Sequence, residues 1–353
     1  MSFETQLAGW DGQSVVIRHD VESDTWIFIA LHDDTLGTPT GGTRMRVYRR
    51  PEEGLADAQR LAAGMTAKWA AIGFPYGGGK AVLAVAAPLE GELRRGLLRR
   101  YGRLIESLRG GFVTGPDLGT STADMEVIGI ETEFVHGIPR AMPVPSGEYT
   151  AHGAYASIRA ALNHAFRNPS PEGKTVLIEG LGAVGAPLAR RLAHDGARLL
   201  LADIALERAQ GLAQELAATV VPLEAVAATP CDVYSPCAVG GILNHRSIAQ
   251  LACRIVTGAA NNQLAEDADA ERLFERGILY APDFIVNAGG AIGISMSDAG
   301  KSEEEITLRL AEIGDTLGEI FTEAAALGEP PLAAAQRRVG RVLAAAREAR
   351  QSA

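Results

Sequence analysis

The segment spanning 174–203 constrains the fold most, because it carries the full pattern of a βαβ unit. A short apolar, β-branched run at 175–179 predicts a buried strand, a helical pattern follows at 186–194, and a second apolar run at 198–202 ends in Asp203. Glycines in the order G-x-G-x-x-G join the first strand to the helix. This arrangement predicts an α/β fold with a doubly wound parallel sheet, that is, a Rossmann domain.

The three glycines and the terminal acid fit the binding of a dinucleotide. Gly180 allows a tight turn, Gly182 leaves the backbone open to a pyrophosphate, and Gly185 lets the helix pack close to the strand. A carboxylate at Asp203 accepts hydrogen bonds from an adenosine ribose and repels a 2′-phosphate, which favours NAD over NADP. A glycine-tightened turn that binds nothing is the alternative. The predicted NAD-binding residues of the turn are Gly180, Gly182, Ala183, Val184 and Gly185.

Length, charge and cysteine content narrow the class of protein. A chain of 353 residues with 47% hydrophobic residues is long enough for two domains with sizeable cores. A net charge of −10 without a basic block argues against nucleic acid as a partner. The three cysteines are an odd number without a Cys-x-x-Cys pair, which fits a reducing cytosol. We find neither a signal-peptide pattern nor an apolar run that spans a membrane, so we expect a cytoplasmic protein with no membrane partner.

Strands and helices also alternate before the βαβ unit. Two apolar runs separated by the polar residues 19–24 predict a β-hairpin, and the adjacent Gly41 and Gly42 precede another strand. Such glycines either form a bulge or let a ligand reach backbone N–H groups. The predicted strands are 14–18, 25–31, 43–48, 81–86 and 112–114, and the predicted helices are 54–72, 93–108 and one from the capping box of Ser121 and Asp124 to about Gly137.

Two lysines in the first half have unusual surroundings. Lys68 falls on the predicted apolar face of helix 54–72, three residues after Met65, where a lysine either snorkels to water or binds a partner. Lys80 follows the glycines at 77–79, which would leave only backbone around its base and let a small polar molecule approach. Because Ala81 follows the lysine instead of Ser or Thr, a nucleotide-binding P-loop is excluded.

Several polar segments follow predicted strands, at the edge of the sheet where α/β proteins place their chemistry. Asp117 comes just after strand 112–114. In the second half, the segments 235–238, 260–263 and 287–290 each follow a predicted strand directly. We expect these three segments to lie near a nicotinamide, although each could also be an ordinary β–α turn.

The domain boundary is expected where proline and glycine accumulate. Pro139, Pro143, Pro145 and Gly147 mark a linker. We expect a substrate-binding, catalytic and oligomerisation domain at 1–145 and an NAD-binding domain at 146–327, with 328–353 packing back on the first domain. The remaining predicted strands are 220–221, 233–234, 254–257 and 278–279, and the last predicted helices are 303–327 and 332–350.

The order of these motifs resembles one family. The relevant segments are GGTRMRVY (41–48), GMTAKWAAIGFPYGGGKAVL (64–83), GPDLGTSTADM (115–125), GLGAVG (180–185), SPCAVGGILN (235–244), AANNQL (259–264) and YAPDFIVNAGGAI (280–292). Over roughly residues 30–295 the chain resembles the amino acid dehydrogenases that act on glutamate, leucine, phenylalanine or valine, and most of all the leucine/phenylalanine/valine branch.

The resemblance implies reversible oxidative deamination, in which an L-amino acid, NAD and water give a 2-oxo acid, ammonium and NADH. It implies that Lys68 binds the substrate carboxylate, with help from the backbone near Gly42 and the side chain of Asn262. It implies that Lys80 is the general base that activates water and that Asp117 exchanges protons with the substrate nitrogen. It also implies a homo-oligomer. The residues implied at the cofactor are Thr150, Ser235, Pro236, Cys237, Ala260, Asn262 and Asn287, besides the glycine turn and Asp203.

The substrate side chain is the least determined feature. The positions implied to border it, beside Gly41 and Met65, are Thr40, Gly115, Ala291 and Ile294. Gly115 and Ala291 stand where larger residues are frequent in the family, which favours a bulky, phenylalanine-type side chain, while leucine or valine is the alternative. A methylene in such a pocket changes selectivity by only about 1–3 kcal/mol.

Two other classes of function stay open at the level of sequence. A non-catalytic protein that binds NAD or an amino acid would carry the same fold, but the joint presence of Lys68, Lys80 and Asp117 argues against it. A malic-type dehydrogenase would need a divalent metal, and we identify no cluster of metal ligands in the sequence.

Overall fold

The computed structural model describes residues 3–138 and 144–352. The chain divides into two compact units, one formed by Met1–Met142 with Val339–Ala353 and the other by Pro143–Arg338. The predicted linker prolines Pro139 and Pro143 lie outside the described residues. No helix within the described ranges is long and apolar enough to cross a membrane.

The first unit is built on a mixed five-stranded sheet in the order β1-β2-β5-β3, with β4 also paired to β5. The predicted hairpin is confirmed, since β1 and β2 pair antiparallel, and β2 continues antiparallel to β5. Strands β3 and β4 run parallel to β5, which makes β5 the central strand. The elements of the first unit are α1 (Phe3–Ala8), β1 (Ser14–Asp20), β2 (Thr25–Asp33), β3 (Pro39–Thr40), β4 (Thr43–Val47), α2 (Pro51–Ala71), β5 (Gly77–Val85), α3 (Gly91–Ser107) and α4 (Thr122–Gly129).

Helices cover both faces of this sheet, and the alternation of side chains along β2 and β5 decides which face each residue joins. Ala30 and Val82 pack against Ala58 of α2 on one face. On the other face, Ile29 and Leu83 belong to the core formed with α3 and α4. The even-numbered residues of β5 therefore face α2.

The second unit contains a six-stranded parallel sheet in the order β11-β10-β9-β6-β7-β8. This order confirms the predicted doubly wound α/β fold. The predicted helix 303–327 is confirmed with both of its boundaries. The elements are α5 (Ser146–Phe166), β6 (Thr175–Glu179), α6 (Gly185–His194), β7 (Arg198–Ala202), α7 (Leu206–Leu216), β8 (Thr219–Val220), β9 (Cys231–Pro236), α8 (His245–Gln250), β10 (Cys253–Val256), α9 (Ala268–Glu275), β11 (Leu279–Tyr280), α10 (Asp283–Val286), α11 (Gly289–Asp298), α12 (Glu303–Leu327) and α13 (Pro331–Gln351).

Helix α13 starts in the second unit and ends in the first. Within the first unit, the guanidinium of Arg347 lies 2.7 Å from the carboxylate of Asp33. The C-terminal end of the chain is thereby fixed by an ion pair at the end of β2.

Four local predictions were wrong. Residues 112–114 do not form the predicted strand, since Val113 and Thr114 make only isolated β-bridges, to Thr40 and Val135. Strand β5 starts at Gly77, so the glycines expected in a loop belong to the sheet. Helix α4 ends at Gly129, well before Gly137, although its capping box at Ser121 and Asp124 is confirmed. The segment 287–290 does not follow a strand directly, because the short helix α10 separates Asn287 from β11.

Candidate active site

Lys80 and Asp117 form a buried ion pair in the first unit. Lys80 lies on β5 opposite Ala30, on the face of the sheet that α2 covers. Its ammonium Nζ is 2.8 Å from Oδ2 of Asp117, and the two side chains are 8% and 17% exposed. The structure therefore brings together the two residues predicted to carry the chemistry, from opposite sides of the strand β4.

A third charged residue, Arg44, joins this pair. Its Nε donates to the same Oδ2 of Asp117 at 3.2 Å, and its Nη1 donates to Oδ2 of Asp57 at 2.9 Å. The hydroxyl of Tyr48 donates to Asp57 at 2.6 Å, and Arg60 closes the group from the next turn of α2. We call Lys80, Asp117, Arg44 and Asp57 the charged cluster.

The charged cluster keeps its two carboxylates ionised. Burial by itself raises the pKa of Asp117, but the charges of Lys80 and Arg44 outweigh it and hold that pKa well below its usual range. Burial likewise raises the pKa of Asp57, and the hydrogen bond from Tyr48 and the charge of Arg44 lower it further than burial raises it. The buried core of the cluster thus has two positive and two negative charges, which compensate one another.

Sequence reasoning missed Arg44 and Asp57. Arg44 pairs in register with Val82 on β5, so its side chain shares the α2 face with Lys80. A signal was present, because Arg44 stands in a predicted strand two residues after Gly42 and an arginine is rarely buried unless it is paired. Its partner on α2 was not recognisable without the register of the sheet.

Gly41 and Gly42 are required by close packing of the backbone. A Cβ atom on Gly41 would lie 1.9 Å from the carbonyl oxygen of Gly79 and 3.2 Å from Cγ of Met65. A Cβ atom on Gly42 would lie 2.9 Å from Cβ of Asp117. The absence of both side chains lets β5 and the loop that carries Asp117 approach, which places these glycines beside the charged cluster.

The glycines before Lys80 do not provide open space, which corrects the prediction. A Cβ atom on Gly78 would lie 1.9 Å from Oγ1 of Thr66, and one on Gly79 would lie 2.8 Å from the ring of Phe112. Neighbouring protein atoms fill the room that the sequence assigned to a small molecule. The glycines let α2 pack directly on the sheet.

The buried stripe of helix α2 coincides with the predicted stripe at Ala58 but not at Met65. Leu55, Ala58, Ala62 and Trp69 are the buried residues, whereas Met65 and Lys68 are only half-buried. The expectation that Lys68 lies on the buried face is therefore wrong. Since Met65 reaches Gly41, the half-buried stripe that carries Met65 and Lys68 borders the glycine pair.

Thr40 and Gly115 lie on neighbouring segments of the first unit. Thr40 is bridged to Val113, and the N–H of Thr43 donates to the carbonyl of Gly115 at 2.8 Å. The indole of Trp69 donates to the carbonyl of Thr40 at 2.9 Å. A Cβ atom on Gly115 would meet only His136, at 3.7 Å, so this position has room for a side chain that the sequence does not use.

In the second unit, the glycine turn has the geometry expected of a dinucleotide site. Gly180 has a φ of 92°, and a Cβ atom on Gly185 would lie 1.9 Å from the carbonyl oxygen of Gly180. A Cβ atom on Gly182 would meet nothing within 4 Å, so the backbone of Gly182 is open. Ala183 and Val184 connect it to the start of α6. The turn fits a pyrophosphate at the helix N-terminus.

Asp203 lies beside this turn, at the end of β7. Its Oδ2 accepts from the N–H of Leu181 at 2.7 Å, and its Oδ1 accepts from the N–H of Ala205 at 2.8 Å. Arg208 approaches both oxygens at 3.3 Å. Burial raises the pKa of Asp203, but these donors lower it below its ordinary value, so the carboxylate is kept ionised next to the turn.

The predicted nicotinamide segments gather at the carboxyl edge of the sheet. Ser235 and Pro236 are the last residues of β9, and the N–H of Cys237 donates to the carbonyl of Glu179 at 2.7 Å. The N–H of Ala260 donates to the carbonyl of Pro236 at 2.9 Å. These bonds fix the segment 235–238 against β6, the strand that leads into the glycine turn, and the segment 260–263 against the end of β9.

Asn287 and Asn262 differ in their surroundings. The amide of Asn287 donates to Oδ1 of Asn261 at 2.7 Å, while its own buried Oδ1 has no hydrogen-bond partner among the described residues. Asn262 is exposed and has a φ of 52°, in the left-handed region. Thr150 contacts the start of α11, the helix that carries the half-buried Ala291 and Ile294.

Within residues 3–138 and 144–352, no group of three or more His, Cys, Asp or Glu side chains is arranged to hold a metal ion. The three cysteines are free thiols.

Comparison with known proteins matches both units of the chain to one family. Residues 17–134 match the model described as Glu/Leu/Phe/Val dehydrogenase, dimerisation domain, and residues 201–349 match the model described as Glutamate/Leucine/Phenylalanine/Valine dehydrogenase. Leucine dehydrogenase of Geobacillus stearothermophilus is 38% identical over 97% of this chain and 93% of its own. Phenylalanine dehydrogenase of Lysinibacillus sphaericus is 40% identical over 89% of this chain and 84% of its own.

A solved structure resembles the whole chain as well. The crystal structure of L-tryptophan dehydrogenase from Nostoc punctiforme has a TM-score of 0.84 and 34% sequence identity, and the match covers 98% of this chain and 100% of that one.

Proposed function

Because the chain belongs to the Glu/Leu/Phe/Val dehydrogenase family, we propose that it catalyses the reversible, NAD-dependent oxidative deamination of an L-amino acid with a large apolar side chain. The protein is an amino acid dehydrogenase, an oxidoreductase of the type that acts on leucine, phenylalanine, valine or tryptophan in its relatives. We propose the preferred substrate side chain, the use of NAD and the roles of individual residues.

The observation that carries the proposal is the ion pair between Lys80 and Asp117. Oxidative deamination needs a base that activates water and a second group that exchanges protons with nitrogen. A lysine and a carboxylate that are 2.8 Å apart and largely shielded from solvent supply both groups. We assign Lys80 to the water and Asp117 to the substrate nitrogen.

Substrate binding is assigned on the family pattern. Lys68 holds the α-carboxylate, together with the backbone at Gly42 and the side chain of Asn262, because a carboxylate needs a fixed cation and hydrogen-bond donors. Met65 and Gly41 border the same place. With the carboxylate held, the nitrogen is directed to Asp117 and the α-carbon to the side from which hydride leaves.

The cofactor assignment rests on the glycine turn and Asp203. The open backbone at Gly182 fits the pyrophosphate, and the ionised carboxylate of Asp203 suits the ribose hydroxyls of NAD better than a 2′-phosphate. The unpartnered Oδ1 of Asn287 is an acceptor for the amide of nicotinamide. When bound, NAD accepts the hydride from the α-carbon of the amino acid.

On the family pattern, the choice of substrate side chain is assigned to Thr40, Gly115, Ala291 and Ile294. The space at Gly115 favours a phenylalanine-type side chain, and leucine or valine is the second candidate because a leucine dehydrogenase is equally similar to this chain. We also propose a homo-oligomer, which the description of the first family model as a dimerisation domain supports.

A substrate panel tests the proposal. The purified protein is mixed with NAD and each of the common L-amino acids at alkaline pH, and the ultraviolet absorbance of NADH is followed. We expect the fastest turnover with phenylalanine or another bulky apolar amino acid, and none with the D-enantiomer. Calorimetric binding of NAD without turnover of any amino acid would favour the non-catalytic alternative.

A further inference from the structure

The charged cluster extends beyond the groups that touch the substrate. Asp57 lies on α2 and has a side chain that is 11% exposed, and it holds Arg44 at 2.9 Å. Arg44, whose side chain is 9% exposed, in turn holds Oδ2 of Asp117. Both cations of the cluster bond this one oxygen, so the orientation of the carboxylate depends on Arg44 as well as on Lys80.

Arg44 differs from Lys80 in one decisive property. A guanidinium stays protonated at every pH at which an enzyme works, whereas a lysine that serves as a base must give up its proton. When Lys80 is neutral, Arg44 is the cation that still faces Asp117 within the charged cluster. Asp57 fixes Arg44 in this place by a charge-assisted bond from a rigid helix.

We propose that Asp57 and Arg44 are positioning residues, which hold the Asp117 carboxylate charged and correctly oriented while Lys80 is deprotonated. This inference rests on the proposed function, since it assigns Lys80 the role of base. If Asp57 and Arg44 have this role, their charges contribute to the pH dependence of turnover. The charged and titratable groups around Arg44 and Asp57 are Lys80, Asp117, Tyr48 and Arg60, and Arg46 lies over the ring of Tyr48.

The two positioning residues have opposite charges, so their removal has opposite effects. Asp57→Asn keeps the shape but removes a negative charge, which favours loss of a proton nearby and moves the rising limb of the pH–kcat/KM profile to lower pH. Arg44→Gln removes a positive charge and moves that limb to higher pH. We expect each shift to be about 1 pH unit. Each removed charge is separated from Lys80 by only one or two residues of the charged cluster and acts through the effective dielectric of a protein.

The size of the rate effect follows from positioning. A misplacement of a reacting group by about 1 Å lowers turnover by up to about 100-fold. We expect kcat to fall about 10-fold to 100-fold in Asp57→Asn, with KM for the amino acid changed less, because the α-carboxylate is held by Lys68. Arg44→Lys keeps the charge and should restore the position of the pH limb without restoring kcat fully.

Asp20→Asn is the matched control. Asp20 is a buried carboxylate, 3% exposed, that Arg100 holds at 2.6 Å in the same unit. Asp20 ends β1 and pairs with Thr25 of β2, which pairs with Val85, so it is level with the far end of β5, about 17 Å along the strand direction from Lys80. We expect this variant to lose stability without a shift of the pH limb.

Turnover by the wild-type protein tests the proposed function, and the variants then test the inference separately. Circular dichroism and calorimetric NAD binding establish that each variant is folded. Opposite shifts in Asp57→Asn and Arg44→Gln, with no shift in Asp20→Asn, support the positioning role. Lower kcat with an unmoved pH limb, or shifts in the same direction, would show that the two residues only stabilise the fold and would overturn it.

Discussion

Replacing Lys80 by alanine removes the ammonium that lies 2.8 Å from Asp117 and leaves the rest of β5 unchanged. General acid–base catalysis by a positioned group contributes about 10²-fold to 10⁴-fold to turnover. We therefore expect kcat of Lys80→Ala to fall by at least about 100-fold with the best amino acid substrate. The affinity for NAD should not change, because the glycine turn belongs to the other unit.

The expected loss of stability is smaller than for an isolated buried pair. Removing the sole partner of a buried charge costs about 3–5 kcal/mol. In Lys80→Ala, however, Asp117 keeps Arg44 at 3.2 Å, so its carboxylate is not left without a cation. We expect a decrease of about 1–3 kcal/mol in the free energy of unfolding.

The assay combines steady-state kinetics, NAD binding by calorimetry and urea denaturation of the same preparation. Lys301→Ala is the control, since Lys301 is half-exposed and pairs with Glu305 on the surface of α12. Surface pairs contribute about 0–1 kcal/mol, so this variant should match the wild type in all three measurements. If Lys80→Ala kept more than about a tenth of wild-type kcat, Lys80 would not be the general base.

Four other substitutions have expected outcomes that follow from the structure. Gly182→Ala should fold normally but bind NAD more weakly. Gly185→Ala should lower the melting temperature, because its Cβ would lie 1.9 Å from a backbone oxygen. Equal melting temperatures of the two variants would contradict this packing. Gly115→Ala adds a methyl group without a clash. Measured with both substrates, kcat/KM for phenylalanine should fall about 10-fold relative to that for leucine. An unchanged ratio would show that the substrate side chain binds elsewhere. Hydrogen bonding from Arg100 lowers the pKa of Asp20 to about 2. The pair therefore stabilises the fold by about 2 kcal/mol above about pH 4, and this stabilisation is lost as the pH falls towards 2. Urea denaturation from pH 5 to 2 should show the loss in the wild type and not in Asp20→Asn.

The features that depend on neighbouring residues in the chain were predictable from the sequence. The glycine turn, the capping box at Ser121 and both ends of α12 are set by a few consecutive residues whose conformational preferences are strong. The parallel sheet also followed, because alternating strands and helices permit few topologies.

The features that depend on the register of the sheet were not predictable. Arg44 meets Asp117 across 73 residues of sequence and Asp57 across 13, and the first contact exists because Thr43 of β4 is bridged to Pro116. The glycines at 77–79 carry a strong signal for a loop, but their strand conformation depends on side chains of α2 and Phe112 that pack against them. The half-buried position of Lys68 likewise depends on how α2 is rotated on the sheet.

The balance of products measures the proposed reaction most directly. The protein is incubated with L-phenylalanine and NAD, and NADH, ammonium and the 2-oxo acid are quantified over time. We expect equal molar amounts of the three products, formed by the wild type and lost together in Lys80→Ala. NADH without an equal amount of ammonium, or no product from any L-amino acid although NAD binds, would contradict it.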